Sequence, residues 1–242
     1  MHLKIDDAKK LHQKKYRTEF GYFLVEGEHL ILELEKAAET NAALQDCELF
    51  VTENYQHFAS RFKKNLVSEK NMAQLSDTKT PQGIIAVAPL LPSAKTSNQN
   101  ERAIYLHEVQ DPGNLGTILR SLAWFGNFRC LLSPGSVDPY NPKVVRSSMG
   151  AIFHVPTELD VTLESIASRF QSIATLDMNG KSLGDNSFKH FDCYVFGNEA
   201  RGIPREDLQT MNAQPFTISG CGAIESLNLA SAVNMCVYEL MR

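Results

Sequence analysis

Apolar residues fall in short blocks along the chain, and the spacing inside each block predicts a helix or a strand. A lysine- and arginine-rich stretch near 6–18 predicts a basic helix, and Tyr22–Val25 a short strand. From about Glu28 to Glu39, Leu30, Ile31 and Leu34 share one helical face. Cys47–Thr52 has strand character. Gly83–Ala88 (GIIAVA) follows the turn signal Thr80-Pro81-Gln82 and reads as a buried strand. This alternation predicts a small N-terminal α/β sandwich.

Past residue 100 the alternation is more regular. Strand-type runs lie at 103–108 (AIYLHE), 128–132 (FRCLL), 172–176 (SIATL) and 192–197 (DCYVFG). Helical patterns fall near 114–126, 142–150 and 161–170. Strands separated by helices imply a parallel sheet covered on both faces. A long helix near 226–241 carries Leu227, Val233, Val237 and Leu240 at near-helical spacing. Between the two patterns, 89–100 (PLLPSAKTSNQN) has the proline-rich, then polar, composition of a linker. The expected organisation is a domain at 1–90, a linker at 91–101 and a second α/β domain at 102–242. No internal repeat is seen.

Composition narrows the class. Of 242 residues, 43% are hydrophobic and 21% charged, which excludes wholesale disorder. No apolar run approaches the roughly 20 residues of a membrane span. The first residues, MHLKIDDAKKLHQKKYR, lack the apolar core of a secretory signal. A soluble, cytoplasmic protein is expected. The five cysteines are scattered, against a disulfide framework or zinc knuckle, and the seven histidines form no H-x-x-x-H pair. No metal site is expected. Net charge is −4, yet Lys4, Lys9, Lys10, Lys14, Lys15 and Arg17 crowd the first 17 residues. Such a run is either a solvated helix face or a local phosphate-binding patch.

Ligands of parallel sheets sit beyond the C-terminal strand ends, and three glycine-bearing loops fall at such places. Asp111-Pro-Gly-Asn-Leu-Gly116 is strong turn chemistry leading into a helix that delivers Arg120. It is either a plain tight turn or a phosphate seat at a helix start. Phe196-Gly-Asn-Glu-Ala-Arg-Gly-Ile-Pro204 places Glu199 and Arg201 between two glycines. It is neither a P-loop nor G-x-G-x-x-G, so neither ATP nor NAD is supported. Ile218-Ser-Gly-Cys-Gly-Ala-Ile-Glu-Ser-Leu-Asn228 ends in Glu225, Ser226 and Asn228, which either cap the last helix through Ser226 or Asn228 or orient a polar ligand at its mouth.

In order and spacing these three loops resemble the SpoU family of RNA 2′-O-ribose methyltransferases, within the wider knotted SPOUT class. The segments that carry the likeness are HEVQDPGNLGTILRSLAWFG (107–126), VFGNEARGIP (195–204) and ISGCGAIESLNLASAVNMCVYEL (218–240), with NPKVVRSSMGAIFHVP (141–156) between them. KKYRTEFGYFLVEGEHLILE (14–33) and TPQGIIAVAP (80–89) are similar to the ribosomal-protein-like substrate-binding domain that often precedes the catalytic one.

The resemblance implies a deep trefoil knot in the C-terminal domain, S-adenosylmethionine as cofactor and a homodimer. By motif position it nominates Asn114, Arg120, Glu199, Ser226 and Asn228 as catalytic residues. It nominates Gly197, Ile218 and Leu227 for the cofactor. Ala200 and Arg201 stand where the family is usually richer in glycine, and Ser219 replaces a common proline. The implied reaction is methyl transfer to a ribose 2′-hydroxyl of a structured RNA, an rRNA in preference to a tRNA. The alternative is a non-catalytic RNA-binding or ribosome-associated protein that keeps the fold. A guanidinium is a poor base at neutral pH, so Arg120 suits stabilising an alkoxide or clamping a phosphate. RNA contacts are expected from Lys9, Lys10, Lys14, Lys15 and Arg17 of the N-terminal domain, with Lys143 and Arg146 adding more near the active site.

Overall fold

The computed structural model describes residues 3–93, 101–224 and 226–242. Residues 94–100 of the expected linker and Glu225 therefore lie outside the described residues. The first elements are α1 (Ile5–Ala8), α2 (Lys14–Phe20), β1 (Tyr22–Glu26), α3 (Glu28–Thr40), β2 (Glu48–Val51), β3 (Lys63–Leu66), α4 (Glu69–Leu75) and β4 (Ile84–Pro89). Then come β5 (Arg102–Leu106), α5 (Pro112–Phe125), β6 (Phe128–Leu132), α6 (Pro142–Ser148), β7 (Thr157–Glu158) and α7 (Leu163–Arg169). The last are β8 (Ile173–Ser182), β9 (Cys193–Phe196), α8 (Arg205–Thr210), β10 (Gln214–Thr217) and α9 (Leu229–Met241). They form two compact units. One combines Met1–Pro92 with Asp138–His154, the other Ser93–Val137 with Val155–Arg242.

The first unit is built on a four-stranded sheet in the order β1-β4-β2-β3. Only the β2–β3 pair is parallel. Alternate residues serve opposite faces, as the two-residue period of a strand requires. Phe23, Val25, Leu49, Val51, Ile84 and Ala86 pack with Leu30, Ile31 and Leu34 of α3. Leu24, Phe50, Ile85 and Val87 pack with Ala8, Leu11, Met72 and Leu75. The sandwich read from sequence is present. The edge strand β3 (KKNL) escapes an apolar search because it is largely exposed.

Two local readings are corrected. The basic stretch is not one helix: a 3-10 turn at Lys9–His12 ends at Gln13, whose φ of −99° and ψ of 133° are extended, and α2 starts afresh. Residues 138–154, expected within the second domain, belong to the first unit. Val145, Ile152 and Phe153 enter the α3 core, and the Tyr140 ring lies 4.8 Å from that of Phe23. Gly150 has φ +92°, and a Cβ there would stand 2.7 Å from Cβ of Glu33, so only glycine fits.

The second unit carries six parallel strands in the order β10-β8-β9-β5-β6-β7. Ala103, Tyr105, Leu131, Cys193 and Val195 bury one face under Leu163 and Ile166 of α7. Helix α5 packs on β6 and on α9. From β5 the chain moves outward through β6 to β7, then crosses to β8 on the other side and fills the place between β8 and β5 with β9. The boundary between β5 and β9 is therefore a topological switch point, where parallel sheets bind ligands. At the far edge β10 pairs with β8, its partner jumping from Thr175 to Lys181 between Pro215 and Phe216.

Candidate active site

The loops after β5 and β9 flank that switch point, and the loop after β10 leaves the same end of the sheet. Each is shaped by local chemistry. Asp111 caps α5, its Oδ1 accepting from the Asn114 amide at 2.8 Å, with Pro112 in the first turn. Asn228 caps α9, its Oδ1 accepting from the Ser231 amide at 3.2 Å. This decides between the two cap candidates, Ser226 and Asn228. The Asn228 oxygen is committed to the cap, so its Nδ2 is left to donate, and it does so to Asn114 Oδ1 at 2.9 Å. Asn114 Nδ2 in turn donates to Glu199 Oε1 at 3.2 Å. One continuous line of hydrogen bonds, Asn228 to Asn114 to Glu199, thus joins all three loops.

The loop bearing Glu199 is held by a residue that the motif pattern does not single out. Asn198 is buried; its Oδ1 accepts from the amides of Ala200 and Arg201 at 3.0 and 3.1 Å, and its Nδ2 donates to the Glu108 carbonyl at 2.8 Å. Asn198 and Gly202 also exchange backbone hydrogen bonds. A Cβ on Gly197 would fall 2.6 Å from the Gly202 backbone, which accounts for glycine there. Arg201 pairs with the Glu108 carboxylate. Glu108 itself sits at φ +47°, an uncommon conformation for a non-glycine residue. Its amide donates to Ser133 Oγ at 2.6 Å, and Gln110 Nε2 donates to its carbonyl at 3.0 Å. The one sequence signal for Asn198 was its place in Gly-Asn-Glu-Ala, a favourable setting for an Asx turn.

Arg120 projects from the exposed side of α5, and among the described residues its side chain has no hydrogen bond or ion pair. Ser226 and Leu227 are exposed, Gly197 and Ile218 half-buried at the strand ends. The structure brings Asn114, Glu199 and Asn228 together and leaves Arg120 and Ser226 outside their hydrogen bonds.

The basic residues divide. Arg17, expected on the RNA-facing surface, is only 3% exposed. Its Nε and one terminal nitrogen both reach Asp138 Oδ2, at 2.9 and 2.5 Å. The other donates to the carbonyls of Leu11 and His12. It is a fold residue, since its donors are consumed inside the unit. Lys9 pairs with Asp6 and Lys10 with Asp7, and the hydrogen bond to Asp7 lifts the Lys10 ammonium above its ordinary range. Arg146 pairs with Asp77. Lys14, Lys15 and Lys143 are exposed, and Lys15 stands 5.6 Å over the Tyr16 ring. Among the described residues no helix is long and apolar enough to cross a membrane, and no group of three or more His, Cys, Asp or Glu could hold a metal.

Against known proteins the chain is not alone. The profile of the SpoU rRNA Methylase family matches residues 101–238, and that of an MRM3-like substrate binding domain matches residues 3–86. The 23S rRNA (guanosine(2553)-2′-O)-methyltransferase RlmP of Bacillus subtilis is 31% identical over 98% of this chain and 95% of its own. Among solved structures, a protein from Porphyromonas gingivalis assigned to the TrmH family of RNA methyltransferases superposes with a TM-score of 0.84. It is 29% identical, over 99% of this chain and 98% of the other. The SpoU methyltransferase AviRb of Streptomyces viridochromogenes, solved with its cofactor AdoMet, shares the fold. Its TM-score is 0.83 at 21% identity, over 100% of this chain and 97% of its own. The methylase match covers more than half of the chain and the Bacillus relative nearly all of it, so this chain belongs to the SpoU rRNA methylase family.

Proposed function

We propose that the protein transfers the methyl group of S-adenosylmethionine to a ribose 2′-hydroxyl of ribosomal RNA. The observation that carries this reading is the hydrogen-bonded line Asn228–Asn114–Glu199, which gathers the three motif loops at the switch point of the sheet. The Bacillus relative names the same class of reaction on 23S rRNA.

The residues present fit the cofactor. Beyond β10 the loop has Gly220 and Gly222 with open space where a side chain would stand, and exposed Ile224 and Leu227. Met178 of β8 is exposed as well. Uncovered apolar side chains beside accessible backbone suit a ligand that joins an aromatic base to a polar amino acid. Gly197, Ile218 and Leu227 would hold it. When bound, it supplies an electrophilic sulfonium methyl.

The chain's own residues then have to place and charge-balance the RNA hydroxyl. Among the described residues the guanidinium donors of Arg120 are unengaged, so it binds the developing alkoxide or the neighbouring phosphate. Asn114, oriented by Asn228, holds Glu199, and together with Ser226 they order the ribose. Alignment of this kind contributes several kcal/mol to a two-reactant step.

In the same reading, residues 1–90 together with the 138–154 segment bind RNA, 91–101 link and the rest of 102–242 catalyses, with exposed Lys14, Lys15 and Lys143 meeting phosphates and Lys9, Lys10 and Arg146 in support. The C-terminal chain, which lays β10 beside β8 before α9 returns to α5, forms a deep trefoil knot. The protein works in the cytoplasm as a homodimer through the exposed side of α5 and α9. The test is calorimetry with S-adenosylmethionine plus transfer of labelled methyl to unmodified rRNA with 2′-O-methyl mapping. Binding without transfer to any ribose would leave an RNA-binding protein and overturn the enzymatic reading.

A further inference from the structure

We infer that Arg17 and Asp138 are positioning residues for RNA: they hold residues 138–154 on the substrate-binding unit, so that Lys143 meets phosphate on one surface with Lys14 and Lys15. This rests on the RNA-methyltransferase reading above and adds to it the origin of part of the docking surface.

Every donor of Arg17 that the structure engages points to one of two places. Nε and one terminal nitrogen hold Asp138, the first residue of the 138–154 segment. The other terminal nitrogen holds the carbonyls of Leu11 and His12, at 2.7 and 2.9 Å, where the 3-10 turn ends just before Lys14 and Lys15. The pair is buried, with side chains 4% and 10% exposed. A buried guanidinium left without its carboxylate is strongly unfavourable, so the two segments are tied firmly.

The tie is continued by neighbours. Asp138 Oδ1 accepts from the Tyr140 amide at 3.0 Å, and Tyr140 donates its hydroxyl to the Leu91 carbonyl. Further along, Arg146 bonds Asp77 at 2.8 Å. His12, Pro142 and Arg146 line one small cavity, so the chain just before Lys14 and the chain just before Lys143 face the same space. Lys14, Lys15 and Lys143 are exposed without an acidic partner among the described residues, whereas Lys9, Lys10 and Arg146 are each paired. Free lysines on one surface are what phosphate binding by counterion release uses. The methylase profile spans residues 138–154, but their packing gives them to the substrate-binding unit.

The experiment measures affinity for a transcribed 23S rRNA probe across a salt series, with S-adenosylmethionine affinity as a parallel readout. Lys143→Ala in the otherwise native chain should weaken RNA binding several-fold and lower the salt slope by about one unit. In an Asp138→Asn background the same change should weaken binding less than about twofold and leave the slope where Asp138→Asn alone put it, because Lys143 is no longer held in register. A purely structural role for the pair would weaken all variants alike without this loss of coupling. If Asp138→Asn fails to fold, Asp77→Asn loosens the other end at an exposed site and should reduce the Lys143→Ala effect in the same way. A neutral Lys143→Ala, or an equal effect in both backgrounds, overturns the inference. A native chain that binds neither S-adenosylmethionine nor RNA overturns the functional reading beneath it instead.

Discussion

Asn228 donates to Asn114 at 2.9 Å, and that bond decides which way the Asn114 carboxamide faces. The Asn228 oxygen is held by the α9 cap, so its nitrogen must face Asn114. The Asn114 oxygen is thereby taken, and its nitrogen is left for Glu199. A helix cap thus orients a polar group in a different loop.

Asn228→Asp separates these roles. Aspartate caps as well as asparagine and suits the positive end of α9, so the unfolding temperature should hardly move. The new carboxylate cannot donate to Asn114. Asn114 must turn its nitrogen to residue 228 and its oxygen to Glu199, where two acceptors oppose each other. Single-turnover methyl transfer should fall at least about tenfold, the cost of one lost hydrogen bond to a charged group. Asn228→Ala should lose the cap too, about 1 kcal/mol of stability. Full activity in Asn228→Asp would mean that the direction of Asn114 is immaterial.

Arg120 supports a second prediction. It is exposed and unpaired among the described residues, so its removal leaves no buried partner stranded. Arg120→Ala should reduce the single-turnover rate by about 100- to 1,000-fold, as loss of one charge-stabilising donor does. S-adenosylmethionine affinity should change less than about twofold. Arg120→Lys keeps the charge but not the planar fork, and should recover only part of the rate. Near-native activity in Arg120→Lys would reduce the role to charge alone.

Much of this architecture was legible because buried strands are continuous apolar runs; β5, β6, β8 and β9 begin within a residue or two of where the pattern put them. The segments β3, β7 and β10 were not legible, being short and poor in alternating apolar residues. Asn114, Glu199 and Asn228 each stood out in a motif, but the bonds between them span 85 and 114 residues of sequence, beyond any local pattern. Arg17 shows the opposite limit. Its charge was plain, but the carboxylate that buries it lies 121 residues away, so a surface role was read for a core ion pair. Asn198 and Glu108 do not stand out as chemistry in the sequence, because their work is in shaping backbone.

The cysteines give a third test. Cys47, Cys130, Cys193 and Cys236 are buried, while Cys221 is exposed in the loop after β10. Burial pushes the thiols of Cys47, Cys130 and Cys236 up to about 12 and that of Cys193 in the same direction. A disulfide reagent at pH 8 should therefore titrate one thiol per native chain and five after denaturation. S-adenosylmethionine should slow the reaction of Cys221 if the adjoining loop holds it. The fold favours the protonated thiols, so their contribution is complete below the unfolded value near 9 and is lost as pH rises toward 12. Unfolding midpoints should accordingly fall with rising pH above about 9. More than one thiol reacting in the native chain would contradict the packing.

The last prediction concerns self-association. From sequence α9 looks apolar on nearly every side, but Leu229, Val233, Cys236, Val237 and Leu240 are buried within its own unit. What remains outward is Met235, Tyr238 and Met241, spaced three apart, with Trp124 of α5 at 84% exposure. The Phe125 and Tyr238 rings meet edge-on at 6.4 Å, so the two helices present one apolar surface. An exposed tryptophan in such a patch is the kind of side chain that dominates protein interfaces. If a second copy covers it, light scattering at micromolar concentration should give twice the chain mass, and Trp124→Glu should give a monomer. Trp124 adds little to its own unit, so Trp124→Glu should keep its helical circular dichroism and its unfolding temperature to within a few degrees at high dilution. Tyr238→Glu, on the other helix of the patch, should have the same effect on mass. A native chain that remains monomeric, or a Trp124→Glu variant that still dimerises, would show that this surface is not where two copies meet.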